Sequence, residues 1–388
     1  MRLAFYAPLK PPNHPVASGD RRMARLLVQA WESAGHELEL ASSLCTRDGG
    51  GDPARQAELA GLAAVETERL KADYANRPAA ERPAAWFTYH VYYKAPDWIG
   101  PGVAEALQIP YLIAEASLAG KRATGPYALG HRGALAAVRA ADAIFVINPA
   151  DREALEPQLA SQTRLIDLPA FLDTARYRST AGERDRLRRE IATARGFDPG
   201  RPWLLSVAMM REGDKLTSYR LLGEALMQVA DLPWQLIVIG DGPARDAVSD
   251  ALAPLGESRV RFLGALPPDE LAAYYAAADL CLWPAANEAY GMALLEAQSA
   301  GLPVVAGAEG GVPSIIEAGT TGLLTPPRDS AAFAAAVRQL ILAPDRRAAM
   351  ARSALTRTRQ HHDIARATRI LDDTLQRILG SVAAGMRR

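Results

Sequence analysis

Two glutamates eight residues apart, Glu288 and Glu296, flank Gly291 in residues 287–305, NEAYGMALLEAQSAGLPVV. An apolar run, LCLW at 280–283, ends at Pro284 just before this stretch, and its own last residues are apolar again. The order therefore reads strand, loop, helix, turn, strand. A helix that starts near Gly291 aims unpaired backbone N–H groups and its positive dipole end into the loop, which suits an anion such as a phosphate. Glu288 then lies in the loop and Glu296 about a turn and a half into the helix. Carboxylates are poor phosphate ligands, but they accept hydrogen bonds from hydroxyls on either side of one. Sugar hydroxyls flanking a diphosphate describe a nucleotide-sugar. The two glutamates alone fit an ordinary amphipathic helix with a solvated carboxylate at each end better.

A second loop carries positive charge. SVAMMREGDKLTSY (206–219) holds Arg211 and Lys215, and a departing diphosphate needs cations because charge builds on its β-phosphate oxygen as the bond breaks. Arginine outnumbers lysine 39 to 5, and Lys215 is the only lysine after residue 121, so a position that keeps the compact ammonium is notable. IVIGDGPAR (237–245) ends a strand in Gly240-Asp241-Gly242; Arg245 stands where a dinucleotide fingerprint needs its third glycine, so a tight strand-to-helix turn is the simpler reading. KPPNHPVASGDRR (10–22) places Gly19 ahead of a helix, with Ser18 or Asp20 as cap and His14, Arg21 and Arg22 nearby. AEGGVPSIIEAGTTGLL (308–324) holds Gly310 and Gly311, which permit close backbone approach to a ligand.

Taken in this order, the motifs resemble the retaining GT-B glycosyltransferases of family four. The resemblance is dense over 203–327 and sparse in the first 140 residues. It implies that Glu288 contacts the donor sugar, Glu296 the ribose, and the backbone of Gly291, Met292, Ala293 and Leu294 the diphosphate. It gives Lys215 the leaving-group charge. The family's Gly-Arg pair falls on Ala208 and Met209, so Arg211 is either its substitute or a surface arginine. Gly19, Gly240, Gly310 and Gly311 are expected to border the donor, and the backbone at 262–265, Leu263 among it, to meet the base. Ser314 stands where the family has a glutamate after the double glycine. An N-domain histidine common in relatives is missing: IPYLIAEAS puts Glu115, Ala116 and Ser117 there, with His90 and His131 as alternatives.

The elements that must hold these residues alternate. Residues 3–7, 38–42, 85–90, 111–114 and 143–147 read as strands in the first half, with a helix at 20–34 stopped by Gly35. FDPGRPW (197–203) marks a boundary, and 203–208, 235–239, 259–263, 280–283 and 303–306 restart the rhythm before a mostly helical end broken at Pro344. Such alternation predicts parallel sheets covered by helices. The expected fold is α/β, a GT-B pair of doubly wound Rossmann-like domains facing each other across a cleft. The expected bounds are 1–177 for an acceptor-side domain and 178–365 for a donor domain, with 366–388 as a helix returning to the first.

At 388 residues two domains are the default, and 44 basic against 44 acidic residues argue against a nucleic-acid binder. The first ten residues are too short for a secretory signal, and no apolar run reaches the roughly 20 residues that cross a bilayer. Cys45 and Cys281 do not suggest a disulfide framework. These features fit a cytoplasmic protein, with peripheral membrane contact through 184–189 at most. No D-x-D and no His/Cys cluster at ligand spacing occurs, so neither metal nor cofactor is expected. The expected activity is metal-independent, retaining transfer of a hexosyl group from a UDP-sugar, or alternatively a GDP-sugar, to a hydroxyl acceptor. A nucleotide-sugar epimerase or hydrolase, or a non-catalytic binder, are the competing readings.

Overall fold

A computed structural model describes residues 1–15, 18–160, 162–177 and 182–385. The chain divides into two compact units, one of 1–169 with 364–388 and one of 170–363. The first boundary thus falls at Pro169 rather than at 177; residues 178–181, which adjoin the expected boundary, and 386–388 at the chain end lie outside the described residues, as do 16 and 17 in the Gly19 loop.

The first unit is built on six parallel strands: β1 (Arg2–Tyr6), β2 (Glu37–Ser42), β3 (Ala85–Val91), β4 (Tyr111–Ala116), β5 (Ala143–Val146) and β6 (Arg164–Asp167), in the order β2-β1-β3-β4-β5-β6. β3, β4 and β5 are nearly continuous apolar runs, as strands covered on both faces must be. β6 was not expected. Its residues are only partly buried, the signature of a short edge strand. Helix Gly19–Ser33 starts on the Ser18 hydroxyl, which accepts from the Arg21 N–H at 3.2 Å, so Ser18 is the cap. Its Trp31 ring packs edge-on against Phe87 at 5.3 Å. Truncating a buried aromatic of this kind costs about 3–5 kcal/mol. The last helix, Ile364–Gly385, packs on Gly19–Ser33: Thr368 Oγ1 donates to Ala30 O at 3.2 Å and His36 Nε2 meets Asp372 Oδ1 at 3.1 Å.

The second unit repeats the plan with β7 (Trp203–Val207), β8 (Gln235–Ile239), β9 (Val260–Phe262), β10 (Leu280–Trp283), β11 (Val304–Gly307) and β12 (Gly322–Thr325). All pairs are parallel, in the order β12-β11-β10-β7-β8-β9. That is the dinucleotide-fold order, whose reversal point lies between β7 and β10; in the first unit the order reverses between β1 and β3. Open sheets of this kind bind ligands beyond the carboxyl ends of their strands at such points. The helical end is broken at 342–343 as expected, and Pro344 starts the next helix, Pro344–His361, at the position where a missing N–H costs nothing.

The segment expected to present basic charge to solvent does so only in part. In helix Arg184–Arg195, Arg184 and Arg188 turn inward to Asp279 Oδ1 and Oδ2 at 2.7 and 2.9 Å, and the Trp203 N–H donates to the same Oδ2 at 2.7 Å. Arg188 also covers the Trp203 ring at 4.3 Å. Burial lowers the Arg184 pKa. These two arginines pin the helix to its sheet, while Arg186 and Arg189 stay exposed.

Candidate functional site

β7 and β10 are hydrogen-bonded neighbours, so the loops that follow them meet at the reversal point. Lys215, on helix Asp214–Met227 after β7, pairs through Nζ with Glu288 Oε2 in the loop after β10. The Trp283 indole N–H donates to the same oxygen at 3.0 Å, and the Lys215 ammonium lies 5.2 Å from the Trp283 ring centroid. Asn287 Nδ2 donates to Asp214 Oδ2 at 2.8 Å, and the Ala286 N–H to Ser218 Oγ at 3.0 Å, so the two loops are laced three times. Both charged side chains are partly open to solvent, 27% for Lys215 and 15% for Glu288.

The loop itself is strained. Ala285 (φ 59°) and Asn287 (φ 48°) are left-handed, and with His90 and Glu115 they make four of the six non-glycine residues with positive φ among the described residues. Such conformations cost about 1–3 kcal/mol each and collect at functional sites. Gly291 (φ 78°) caps helix Met292–Ser299, as expected from its place in the sequence. Met292 and Ala293 hold the first helical positions, where N–H groups lack intrahelical acceptors, whereas the Leu294 N–H is used by Gly291 O at 2.8 Å.

Gly310 and Gly311 press against this loop from the turn after β11. A Cβ on Gly310 would stand 1.9 Å from Glu288 O, and one on Gly311 2.3 Å from Ala289 O. The Gly311 N–H donates to both carbonyls, at 3.2 and 3.0 Å. Their small size is thus needed to shape the Glu288 loop. Ser314 Oγ donates locally to Gly311 O at 2.6 Å. On the other side, Gly240 lets the β8 turn close on the β7 loop, since a Cβ there would lie 1.9 Å from Ala208 O; its N–H donates to Gly264 O at 2.8 Å. Leu263 directly follows the neighbouring strand β9, its N–H bonded to Val238 O at 3.0 Å.

Glu296 is 2% exposed and accepts from Tyr275 Oη at 2.9 Å, so its carboxylate is held inside the unit. Arg211 is exposed at the end of the β7 loop, while Met209 is half-buried. Gly19 lies in the first unit at the start of its helix, and a Cβ there would meet nothing within 4 Å, so internal packing does not explain the glycine. Arg21 and Arg25 staple their own loop through His14 O, Pro15 O and Pro12 O. His131 is buried in helix Ala128–Ala140, where burial lowers its pKa. Cys281 is buried, which pushes its thiol up to about 12.

Trp283, Asn287, Asp214 and Tyr275 belong to this constellation without having stood out. Trp283 read as the last apolar residue of a strand, and only the fold turns its N–H toward Glu288.

Residues 201–342 match the family model described as "Glycosyl transferases group 1". The D-inositol 3-phosphate glycosyltransferase of Corynebacterium urealyticum is 42% identical over 127 residues, 31% of this chain and 30% of the relative. That of Nocardia farcinica is 33% identical over 214 residues, 52% and 46% respectively. The chain spans less than half the length of these curated relatives. Among solved structures, sucrose-phosphate synthase from Thermosynechococcus elongatus superposes with a TM-score of 0.72 over 98% of this chain and 99% of its own at 18% identity. Anabaena HepE in complex with UDP gives 0.73 over 97% and 100%, also at 18%. At such identities the structural likeness speaks to the fold. No helix among the described residues is long and apolar enough to cross a membrane. The chain thus has a GT-B fold, and residues 201–342 of its second unit match the glycosyl transferases group 1 model.

Proposed function

We propose that the chain is a retaining glycosyltransferase that moves a hexosyl group from a nucleoside-diphosphate sugar, a UDP-sugar first, to a hydroxyl of a glycan, lipid or small molecule. The observation that carries this reading is the Lys215–Glu288 pair at the β7/β10 reversal point, beside the Gly291 helix start. Glu288 neutralises Lys215. A diphosphate at the helix N-terminus competes for the ammonium, and Glu288 is then released to accept from sugar hydroxyls. The bond from the anomeric carbon to the β-phosphate oxygen breaks, the acceptor oxygen bonds to that carbon on the same face, and the departing phosphate takes the acceptor's proton. Lys215, the amides of Met292 and Ala293, and Arg211 carry the charge left on the diphosphate. No divalent ion is required in this scheme. The family match and the relatives' names support transfer of a sugar, and the UDP in HepE supports the nucleotide.

The test begins with thermal shifts for UDP, GDP and ADP, followed by incubation of UDP-glucose, with EDTA, against an acceptor library. A product whose anomeric linkage matches that of the donor supports the reading. Free glucose alone indicates a hydrolase, an altered nucleotide-sugar an epimerase, and tight UDP binding without turnover a binding protein. Each of these outcomes overturns it.

A further inference from the structure

One helix of the first unit carries apolar side chains into solvent. In helix Pro53–Asn76 the side that holds Leu59, Ala63, Thr67, Leu70 and Tyr74 is buried in the unit. Glu58, Leu62, Val65 and Arg69, spaced i, i+4, i+7 and i+11, form one row on the exposed side. Leu62 is 47% and Val65 72% accessible, and they stand one turn apart. Gly61 beside them is exposed, and a Cβ there would meet nothing within 4 Å, so packing inside the unit does not explain a glycine in mid-helix.

The order of the row points to its cover. Acid, two apolar residues and base become their own complement when the helix is turned end for end. About a two-fold axis midway between Leu62 and Val65, Glu58 stands opposite the second copy's Arg69 and Leu62 opposite its Val65, each contact occurring twice. A parallel pair instead sets Glu58 against Glu58 and Arg69 against Arg69. The charges already have exposed local partners: Arg55 Nη1 meets Glu58 Oε2 at 2.6 Å, and Arg69 Nε meets Glu66 Oε2 at 2.7 Å. The antiparallel pair joins them into two runs of alternating sign, Arg55–Glu58 of one copy with Arg69–Glu66 of the other, and such networks contribute where isolated surface pairs do not. The exposed Gly61 admits the second backbone, and the exposed Ala54 and Ala72 keep the ends of the row low. We propose that the chain self-associates through this face, two copies packing their Pro53–Asn76 helices antiparallel about that axis. A single helix pair lies at the small end of interface sizes, so the dimer is weak and concentration-dependent. This goes beyond the donor-site reading and does not depend on it.

Sedimentation equilibrium of the full chain from about 1 to 500 μM should show a monomer–dimer equilibrium. Val65→Asp should weaken it about tenfold or more, and so should Glu58→Arg and Arg69→Glu, each of which sets like charges opposite one another. An equimolar mixture of the two charge variants should dimerise again, because one copy then offers two arginines to the other's two glutamates. Glu58→Arg and Arg69→Glu combined in one chain should restore the homodimer to within about threefold. Thermal melts check that each variant is folded, and Leu62→Asp repeats the measurement if Val65→Asp fails to fold. A wild-type chain that stays monomeric throughout, a dimer indifferent to the apolar substitution, or charge variants rescued by neither the mixture nor the double swap overturns the proposal.

Discussion

If Glu288 holds Lys215 in reserve for a diphosphate, removing either partner should move UDP affinity in opposite directions. Lys215→Ala removes one charge-assisted contact to the ligand, worth about 1.5–3 kcal/mol, or roughly 10- to 100-fold in Kd. Glu288→Gln removes the competitor but keeps the volume and an oxygen for the Trp283 N–H, now 3.0 Å away, so UDP should bind as well or up to about tenfold better. In the double variant the effect of Glu288→Gln should vanish, because no ammonium remains to be released. Stability adds a second readout. The pair is neither surface-exposed nor fully buried, with side chains 27% and 15% accessible. Breaking it should therefore cost about 1–2 kcal/mol, between the surface and buried limits. In a unit spanning residues 170–363 that is a Tm loss of roughly 3–6 °C. Isothermal titration with UDP and thermal melts of the four proteins supply the cycle. If Glu288→Gln weakens UDP as much as Lys215→Ala does, or the two effects simply add, the competition does not exist. In turnover, by contrast, Lys215→Ala and Glu288→Ala should each lose about 100-fold or more; wild-type rates in both would sink the assignment.

Gly310→Ala sets a Cβ 1.9 Å from Glu288 O at φ 59°, so it should lower Tm and UDP affinity together; a variant as stable as wild type shows that the loop can yield. Asp279→Asn strips the charge from a carboxylate that holds Arg184, Arg188 and the Trp203 N–H, and should cost about 2–4 kcal/mol in a denaturant melt, with a loss under about 0.5 kcal/mol counting against its anchoring role. Burial pushes the Glu115 carboxyl from 4.5 up to about 7, reinforced by Asp20 and Asp151 and opposed by His90. A raised acid favours the folded state below its unfolded pKa, and that contribution is lost as pH rises through the folded value. Relative to Glu115→Gln, wild type should therefore lose about 1–3 kcal/mol between pH 4.5 and 7, and a flat difference across that window contradicts the shift.

The strands of the second unit were largely legible because apolar runs of β-branched and aromatic residues end at glycine, proline or aspartate; Gln235–Ile239 and Leu280–Trp283 stand at their expected bounds. The edge strands β6 and β12 were not, since an edge needs little apolar sequence and Arg164–Asp167 reads as loop. Lys215, Glu288 and the glycines could be singled out by residue type and spacing. Their pairing could not, because 73 residues separate the two charges and only the adjacency of β7 and β10 joins them. The inward turn of Arg184 and Arg188 was hidden for the same reason, since Asp279 lies on another element, while Arg186 and Arg189 of that helix are exposed as a solvated face would have them. His90 and Glu115 were noticed as residues near a gap in a pattern, while their shared proton environment with Asp20 depends on three strand ends that the sequence leaves far apart.

The return of helix Ile364–Gly385 to the first unit reverses the order in which the two halves can be finished. Residues 170–363 are continuous and can close their core once they have emerged from the ribosome. The first unit, begun earlier, must wait for Ile364–Gly385: until then Thr368 cannot reach Ala30 in Gly19–Ser33, nor Asp372 meet His36. A nascent chain halted at 363 therefore carries a second unit with all its segments made and a first unit that still lacks Ile364–Gly385.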